Sequence, residues 1–280
     1  MTTPDLTQWI GRSMTLDDVA SPAPMRLLAA TLDRDLEAFA PGGVVPPLGH
    51  WMYFLPGERQ SAIGPDGHAR RGDFLPPVDL PRRMWAGSQF TFHRDLHVGA
   101  QIRRVSRIAD VSQKAGSTGP LVFVKVAHEV SDAQGLCISE FHDIVYREAP
   151  APGQAPAAAK AAPTDEQFAR TIVPDPVLLF RYSALTFNGH RIHYDQPYVT
   201  QVEGYPGLIV HGPLIATLLL DNLRQAHPGA RIAAYEFRAV SPLFDIAPFE
   251  VCGRLEGRVA TLWARSPAGA LAMQATATLA

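Results

Sequence analysis

A stretch rich in alanine and proline, EAPAPGQAPAAAKAAP at residues 148–163, divides the 280-residue chain into two parts of similar length. Proline cannot donate to a helix or sheet ladder, and the stretch has no aromatic or β-branched side chain with which to build a core. This composition predicts an extended linker, with a surface loop inside one domain as the alternative. We therefore predict an N-terminal domain over residues 1–147 and a C-terminal domain over residues 164–280.

The bulk composition argues against several classes of function. The formal net charge is −2, so no overall basic field attracts nucleic acid or an anionic membrane. Cys137 and Cys252 are far apart and lack metal-ligand spacing, which disfavours a disulfide framework and a zinc site. No apolar run long enough to span a bilayer and no signal-peptide pattern is visible. We expect a cytoplasmic protein without a metal, nucleic-acid or membrane partner.

The spacing of apolar residues predicts a similar order of elements in both parts. Each part has helical segments followed by strand-like runs that end in turn residues, and periodicity alone therefore gives an α+β chain with two similar halves. The halves share no obvious sequence repeat. The predicted helices cover residues 22–33, 175–187 and 212–226, and the segment at 48–55 is apolar. The predicted strands cover residues 88–96, 100–116, 121–132, 136–148, 231–240, 248–257, 259–266 and 270–280.

The segment SALTFNGHRIHYDQPYVTQVEGYPGLIVHGPLIATLLL, residues 183–220, holds the most specific motif. It resembles the MaoC-like (R)-specific enoyl-CoA hydratases, whose signature has Gly-Asp, Asn-Pro, an aliphatic residue and His, followed by His-Gly before a buried helix. Asn188 stands in the Asp place and His193 in the His place, and His211 with Gly212 matches the His-Gly pair.

Three positions depart from that signature and indicate one branch of the family. Phe187 replaces Gly, His190 replaces Asn, and Arg191 replaces Pro. This form is more similar to the branch that holds the type-2 hydroxyacyl-thioester dehydratases and the mesaconyl-C4-CoA (3-methylfumaryl-CoA) and itaconyl-CoA hydratases. The resemblance implies a double hotdog fold, in which each of two units wraps an antiparallel sheet around a central helix. It further implies a degenerate N-terminal unit, a catalytic C-terminal unit, a homodimer and no cofactor apart from the coenzyme A of the substrate.

The resemblance also implies which residues carry the reaction. Hydration of a conjugated thioester needs a base for water, and His193 suits this near neutral pH. Developing negative charge on the thioester oxygen needs an N–H donor, which Gly212 offers at a helix start. Asn188 cannot ionise and would hold the water. The alternatives are that Asn188 only turns the chain and that Gly212 is only a helix-start glycine.

Five further residues are weaker candidates for the site. Asp195 is a possible support for His193, and His211 is either a support or a structural hydrogen bonder. For the free carboxylate of a dicarboxylic acyl group, the sequence offers His190, Arg191 and Arg82. Arg82 belongs to the pair Arg82-Arg83, which, like Arg103-Arg104, could bind phosphate or a carboxylate. Arginine pairs are more often solvated surface.

The favoured activity is hydration of a short dicarboxylic enoyl-CoA, either mesaconyl-C4-CoA or itaconyl-CoA, to a citramalyl-CoA type product. Dehydration of a 3-hydroxyacyl thioester of coenzyme A or acyl carrier protein is the first alternative. A hotdog thioesterase, which would need Asp195 near His193, and a non-enzymatic acyl-binding subunit are the others. In the long-chain alternative, Leu185, Ile215 and residues 48–55 would line the acyl end.

Overall fold

The computed structural model describes residues 5–35, 40–116, 119–149 and 158–280. Residues 150–157, at the centre of the predicted Ala/Pro linker, lie outside this description. The linker and the two domain boundaries therefore stay predictions.

Ten antiparallel strands and three α-helices form the described fold. The helices are α1 (Pro22–Thr31), α2 (Pro176–Leu185) and α3 (Gly212–Ala226). The first five strands are β1 (Ser13–Val19), β2 (Arg82–Phe92), β3 (Gln101–Gly116), β4 (Gly119–Asp132) and β5 (Gly135–Arg147). The others are β6 (Phe168–Ile172), β7 (Ile232–Ala239), β8 (Phe249–Glu256), β9 (Val259–Arg265) and β10 (Leu271–Leu279). All three predicted helices and all eight predicted strands are present.

The strands form one sheet whose order reveals the internal repeat. From one edge the order is β1-β3-β4-β5-β2-β7-β10-β9-β8-β6. Counted from its own outer edge, each half places its five strands in the order first, third, fourth, fifth and second. The halves meet where β2 pairs with β7, over Gly87–Thr91 and Ala234–Arg238. The repeat that sequence comparison within the chain does not show is therefore explicit in the topology, and the arrangement is the one expected of a double hotdog.

Two edge strands, β1 and β6, were missing from the sequence prediction. Strand β1 carries Asp17 and Asp18 and has no buried residue, whereas β6 is only five residues long. Charged or short strands are typical of sheet edges, where they discourage pairing with other chains. Neither strand has the apolar alternation on which the prediction depended.

The two halves differ in their central helix. In the second half, α3 is buried over most of its length, from Leu214 to Leu223. In the first half, the segment at 48–55 forms only a short 3₁₀ turn, Gly49–Met52, beside α1. The described part of the first half thus has no buried helix of the length of α3, and the degenerate character of the N-terminal unit stays a prediction. None of the helices in the described ranges is both long and apolar enough to cross a lipid bilayer.

Candidate active site

The motif segment begins at the C-terminal end of α2, where Phe187 takes up a left-handed backbone conformation (φ 48°). The N–H of Asn188 donates to the carbonyl of Ser183 (2.8 Å), and the N–H of Phe187 donates to that of Ala184 (3.4 Å). This is a Schellman C-cap, which usually places glycine at the left-handed position. The family signature has glycine there, so the chain keeps the glycine conformation while carrying a bulky side chain.

His193 lies buried with one ring nitrogen fixed. Its Nδ1–H donates to the carbonyl oxygen of Ile209 (2.7 Å), and because a carbonyl can only accept, the proton of the neutral ring sits on Nδ1. Burial lowers the pKa of His193 to about 4, so the ring is neutral at pH 7. The lone pair of Nε2 is therefore available to accept a proton, as a general base requires.

The ring of His211 packs against the ring of His193. The two rings stack with centroids 3.7 Å apart and planes at 18°, and His211 Nε2 is hydrogen-bonded to the Ser183 hydroxyl (2.8 Å). Burial holds the pKa of His211 well below its usual value. His211 thus packs against His193 and also makes a structural hydrogen bond to Ser183, so its position agrees with both roles that the sequence left open.

Gly212 begins α3 directly beside this pair of histidines. A side-chain carbon added to Gly212 would meet no atom within 4 Å, so the space beside its Cα atom is open. No hydrogen bond of this N–H occurs among the described residues. An unpaired N–H at a helix start is suited to an oxyanion, because the helix dipole is positive there.

Asn188 uses one side of its amide to turn the chain. Its Oδ1 accepts the backbone N–H of His190 (3.0 Å), which makes an Asx turn. The Nδ2–H₂ group makes no hydrogen bond to the described residues and can bind water. Asn188 can therefore turn the chain and hold water at the same time, because the two roles use different atoms of its amide.

Asp195 does not orient His193. Its Oδ2 binds the guanidinium of Arg191 (2.8 and 2.9 Å), and its Oδ1 accepts the N–H of Tyr198 (3.1 Å). The expected support of His193 by Asp195 is therefore wrong; a backbone carbonyl holds the imidazole instead. The Asp195 carboxylate is occupied by an i,i+4 salt bridge with Arg191 and by the N–H of Tyr198 at the start of a helical turn.

The two arginines proposed to bind a carboxylate are already engaged. Arg191 pairs with Asp195, donates to the Pro65 carbonyl (3.0 Å) and stacks over the Tyr198 ring. Its expected contact with substrate is replaced by contacts that tie the motif segment to the first half of the chain.

Arg82 is satisfied in the same way by the second half. It donates to the Tyr205 hydroxyl (2.7 Å) and the Glu203 carbonyl (3.1 Å), and its guanidinium pairs with the Glu203 carboxylate (3.4 Å). Arg82 thus acts as a bridge between the halves, and its proposed carboxylate-binding role is not supported.

A turn from the first half completes the site, and sequence reasoning missed it. Asp66 binds His68 through its carboxylate (3.1 Å), and the His68 ring lies 4.0 Å from that of His190. His190 is in turn 5.5 Å from His193. Four imidazoles therefore form a row that runs from His68 to His211. The only local signal was the turn sequence Pro-Asp-Gly before His68.

Asp66, His68 and His190 are also the one set of candidate metal ligands within the described ranges. Their ligand atoms lie within 4.8 Å of one another, and carboxylate with imidazole is a donor set that zinc accepts. Two positive charges oppose such an ion, because the guanidinium groups of Arg71 and Arg83 both act on His68.

Comparison with known proteins identifies the family. A family model described as hydroxyacyl-thioester dehydratase type 2 matches residues 48–245. The chain belongs to the hydroxyacyl-thioester dehydratase type 2 family. It is 47% identical over 279 residues to the mesaconyl-C(4)-CoA hydratase of Chloroflexus aurantiacus, with 100% of this chain and 99% of that protein covered. Membership of this family makes the chain a hydro-lyase of the hydratase and dehydratase type, as predicted.

Solved structures confirm the fold. A MaoC-like dehydratase from Phytophthora capsici superposes with a TM-score of 0.71 at 15% identity, covering 98% of this chain and 97% of that one. A Mycobacterium tuberculosis protein with a double hotdog fold gives 0.58 at 13% identity, covering 97% and 96%. At these identities the likeness shows architecture alone, and the double hotdog prediction is confirmed.

Proposed function

We propose that this type-2 dehydratase family member hydrates mesaconyl-C4-CoA, a short enoyl thioester with a free carboxylate, to a citramalyl-CoA type product. The observation that carries the proposal is the 47% identity, over the whole length of both chains, to the mesaconyl-C(4)-CoA hydratase. The neutral, oriented His193 beside the open helix start at Gly212 supplies chemistry that fits it.

In the proposed reaction, His193 acts as base and then as acid. Its Nε2 takes a proton from water while the water oxygen bonds to the β-carbon of the thioester. The electron pair of the double bond moves toward the carbonyl and forms an enolate. The imidazolium then returns the proton to the α-carbon, so the overall change is the addition of one water. A buried ring with a low pKa returns this proton readily.

Gly212 would stabilise the enolate oxygen. The free N–H at the start of α3 points a donor and the positive end of the helix dipole at the charge that develops during the reaction. The absence of a side chain lets the thioester approach this backbone closely. Asn188 would hold the water through its Nδ2–H₂ group.

Two alternatives are weaker. Dehydration of 3-hydroxyacyl thioesters agrees with the family description, but it is not the activity named for the full-length relative at 47% identity. A thioesterase depended on Asp195 near His193, and that carboxylate is bound to Arg191 instead.

The proposal is tested by hydration assays on one preparation with four substrates: mesaconyl-C4-CoA, itaconyl-CoA, crotonyl-CoA and a long-chain 2-enoyl-CoA. Product is measured by chromatography, and free coenzyme A is measured in parallel. We expect mesaconyl-C4-CoA to give the highest kcat/KM and no release of coenzyme A. A higher kcat/KM for the long chain would favour the fatty-acyl dehydratase, and release of coenzyme A would favour the thioesterase.

We also propose that the enzyme acts in the cytoplasm as a homodimer without a cofactor, taking an acyl-CoA substrate. The dimer is proposed from the family resemblance, and the location from the sequence pattern described above. Sedimentation analysis of the purified full-length chain tests the dimer directly, since a monomer mass would contradict it.

A further inference from the structure

Arg83 is a half-buried arginine at the start of β2 with no acidic partner. It pairs across the sheet with the buried residue Tyr146. Its neighbour Arg82 binds Glu203, whereas none of the ion pairs formed within the described ranges includes Arg83. The neutral hydroxyl of Tyr146 is its hydrogen-bonding neighbour, so no carboxylate of the described residues neutralises the Arg83 charge, and this charge is available to an incoming anion.

The charge of Arg83 acts on the two histidines that the motif segment and the Asp66 turn bring together. It lowers the pKa of both His68 and His190, although burial is the largest cause for each ring. His68 donates from Nδ1 to the Asp66 carboxylate, and this hydrogen bond fixes the ring beside His190. The His190 ring has no hydrogen-bond partner among the described residues.

The position of these groups relative to His193 matches one part of the proposed substrate. In mesaconyl-C4-CoA the free carboxylate is bonded to the β-carbon, the atom that water attacks. It must therefore lie one carbon–carbon bond away from the atom facing the catalytic base. His190 is the ring adjacent to His193, with centroids 5.5 Å apart, and His68 lies beyond it at 4.0 Å from His190. The charge of Arg83 acts on both His68 and His190.

We infer that Arg83, His68 and His190 form the subsite that binds the free carboxylate of the acyl group, an inference that rests on the proposed function. Arg83 supplies the permanent positive charge, and the neutral ring of His190 supplies one N–H donor. His68, which is held by Asp66, packs against the His190 ring. Neutralising the carboxylate also removes the repulsion that it would exert on charge entering at the adjacent carbon. The first half of the chain thereby selects the substrate for a base carried by the second half.

Arg82 and Arg191 are less suited than Arg83 to bind the substrate carboxylate. Both already bind an acidic side chain and a backbone carbonyl. Withdrawing either one to reach a substrate would break contacts that hold the two halves together.

The experiment compares mesaconyl-C4-CoA with its methyl ester, which has the same carbon skeleton without the charge. The ratio of kcat/KM for the acid to kcat/KM for the ester measures carboxylate recognition. For the wild type we expect a ratio of about 10 to 150, the range of one charge-assisted contact. In Arg83→Gln this ratio should fall at least tenfold while turnover of the ester is retained. Arg83→Lys, which keeps the charge and loses the planar fork, should lie between the two.

Arg82→Gln is the matched control, because it removes a neighbouring arginine that binds Glu203. It should change both substrates by the same factor and leave the ratio unaltered. His190→Gln provides a second test if Arg83→Gln does not fold, and it should also lower the ratio.

Three outcomes would overturn the inference in distinguishable ways. An unchanged ratio in both Arg83→Gln and His190→Gln, with a wild type that prefers the acid, rejects the subsite and leaves the proposed function standing. A wild type that does not hydrate the acid removes the proposed function as well. Loss of wild-type activity in a chelator, restored by Zn²⁺, would assign Asp66, His68 and His190 to a metal instead.

Discussion

The backbone of Gly67 packs directly against the carbonyl group of Gly189, with no room for a side chain on the former residue. This contact joins the turn that carries His68 to the motif segment that carries His193. Gly67 also has a left-handed backbone (φ 91°), which glycine adopts without strain. The closeness of the two backbones sets the position of the histidine row.

Gly67→Ala should therefore separate the turn from the motif segment. We expect kcat/KM to fall by one to two orders of magnitude in an otherwise folded protein, because small displacements in a site cost about 100-fold. Gly11→Ala is the matched control, since Gly11 has a similar backbone (φ 87°) but open space around it. If both variants lose activity equally, backbone strain rather than the Gly189 contact is responsible.

His193→Gln should reduce hydration by about 100- to 10,000-fold, the range for loss of a general base. The amide is close in size to the imidazole, so far-UV circular dichroism and the melting temperature serve to show that the fold is retained. A variant that keeps a third of the activity would remove His193 from the mechanism.

The pH dependence of hydration should show the low pKa of His193. The base works only when unprotonated, so kcat/KM should stay level from pH 8 to about pH 6 and fall as the pH approaches the folded pKa of about 4. The methyl ester is the appropriate substrate, because its acyl group does not titrate. An acid limb with its midpoint near 6.5 would show that the ring is not desolvated.

Asn188→Asp should retain most activity, whereas Asn188→Ala should lose at least tenfold. An aspartate can still accept the His190 N–H with one oxygen and hold water with the other, but alanine loses both the turn and the water contact. Initial rates with mesaconyl-C4-CoA at fixed pH give the comparison. Equal losses in the two variants would mean that the amide donor is indispensable.

Phe187→Gly should raise the stability of the protein by about 1 kcal/mol, because a side chain in the left-handed region costs roughly that amount. Phe187 is 63% exposed, so little core packing is lost with its ring. The free energy of unfolding in urea measures the change. Phe187→Ala, which keeps the side-chain carbon and hence the strain, should not be stabilised and is the control.

The sequence predicted the parts of the site that are contiguous along the chain. His193, Asn188 and Gly212 lie within one motif, and the helix 212–226 was predicted with its observed bounds. His68 could not be found in this way, because only the Gly67 contact brings it to the motif. Arg83 belonged to a candidate pair of arginines, of which the sequence analysis selected Arg82. The choice of Arg82 over Arg83 shows the limit well: neighbouring residues on a strand point to opposite faces, and composition does not say which face holds the site.

The shared sheet has a consequence for how such an enzyme is held together. The halves pair through only five residues on each side, yet the histidine row draws members from both. The covalent connection between β5 and β6 gives each half an effective local concentration on the order of millimolar relative to the other. The chain connection adds this proximity to the contacts that already join the halves, which are the common hydrophobic core and the bridges made by Arg82 and Arg191. Two separate proteins would have to obtain the same proximity by binding alone.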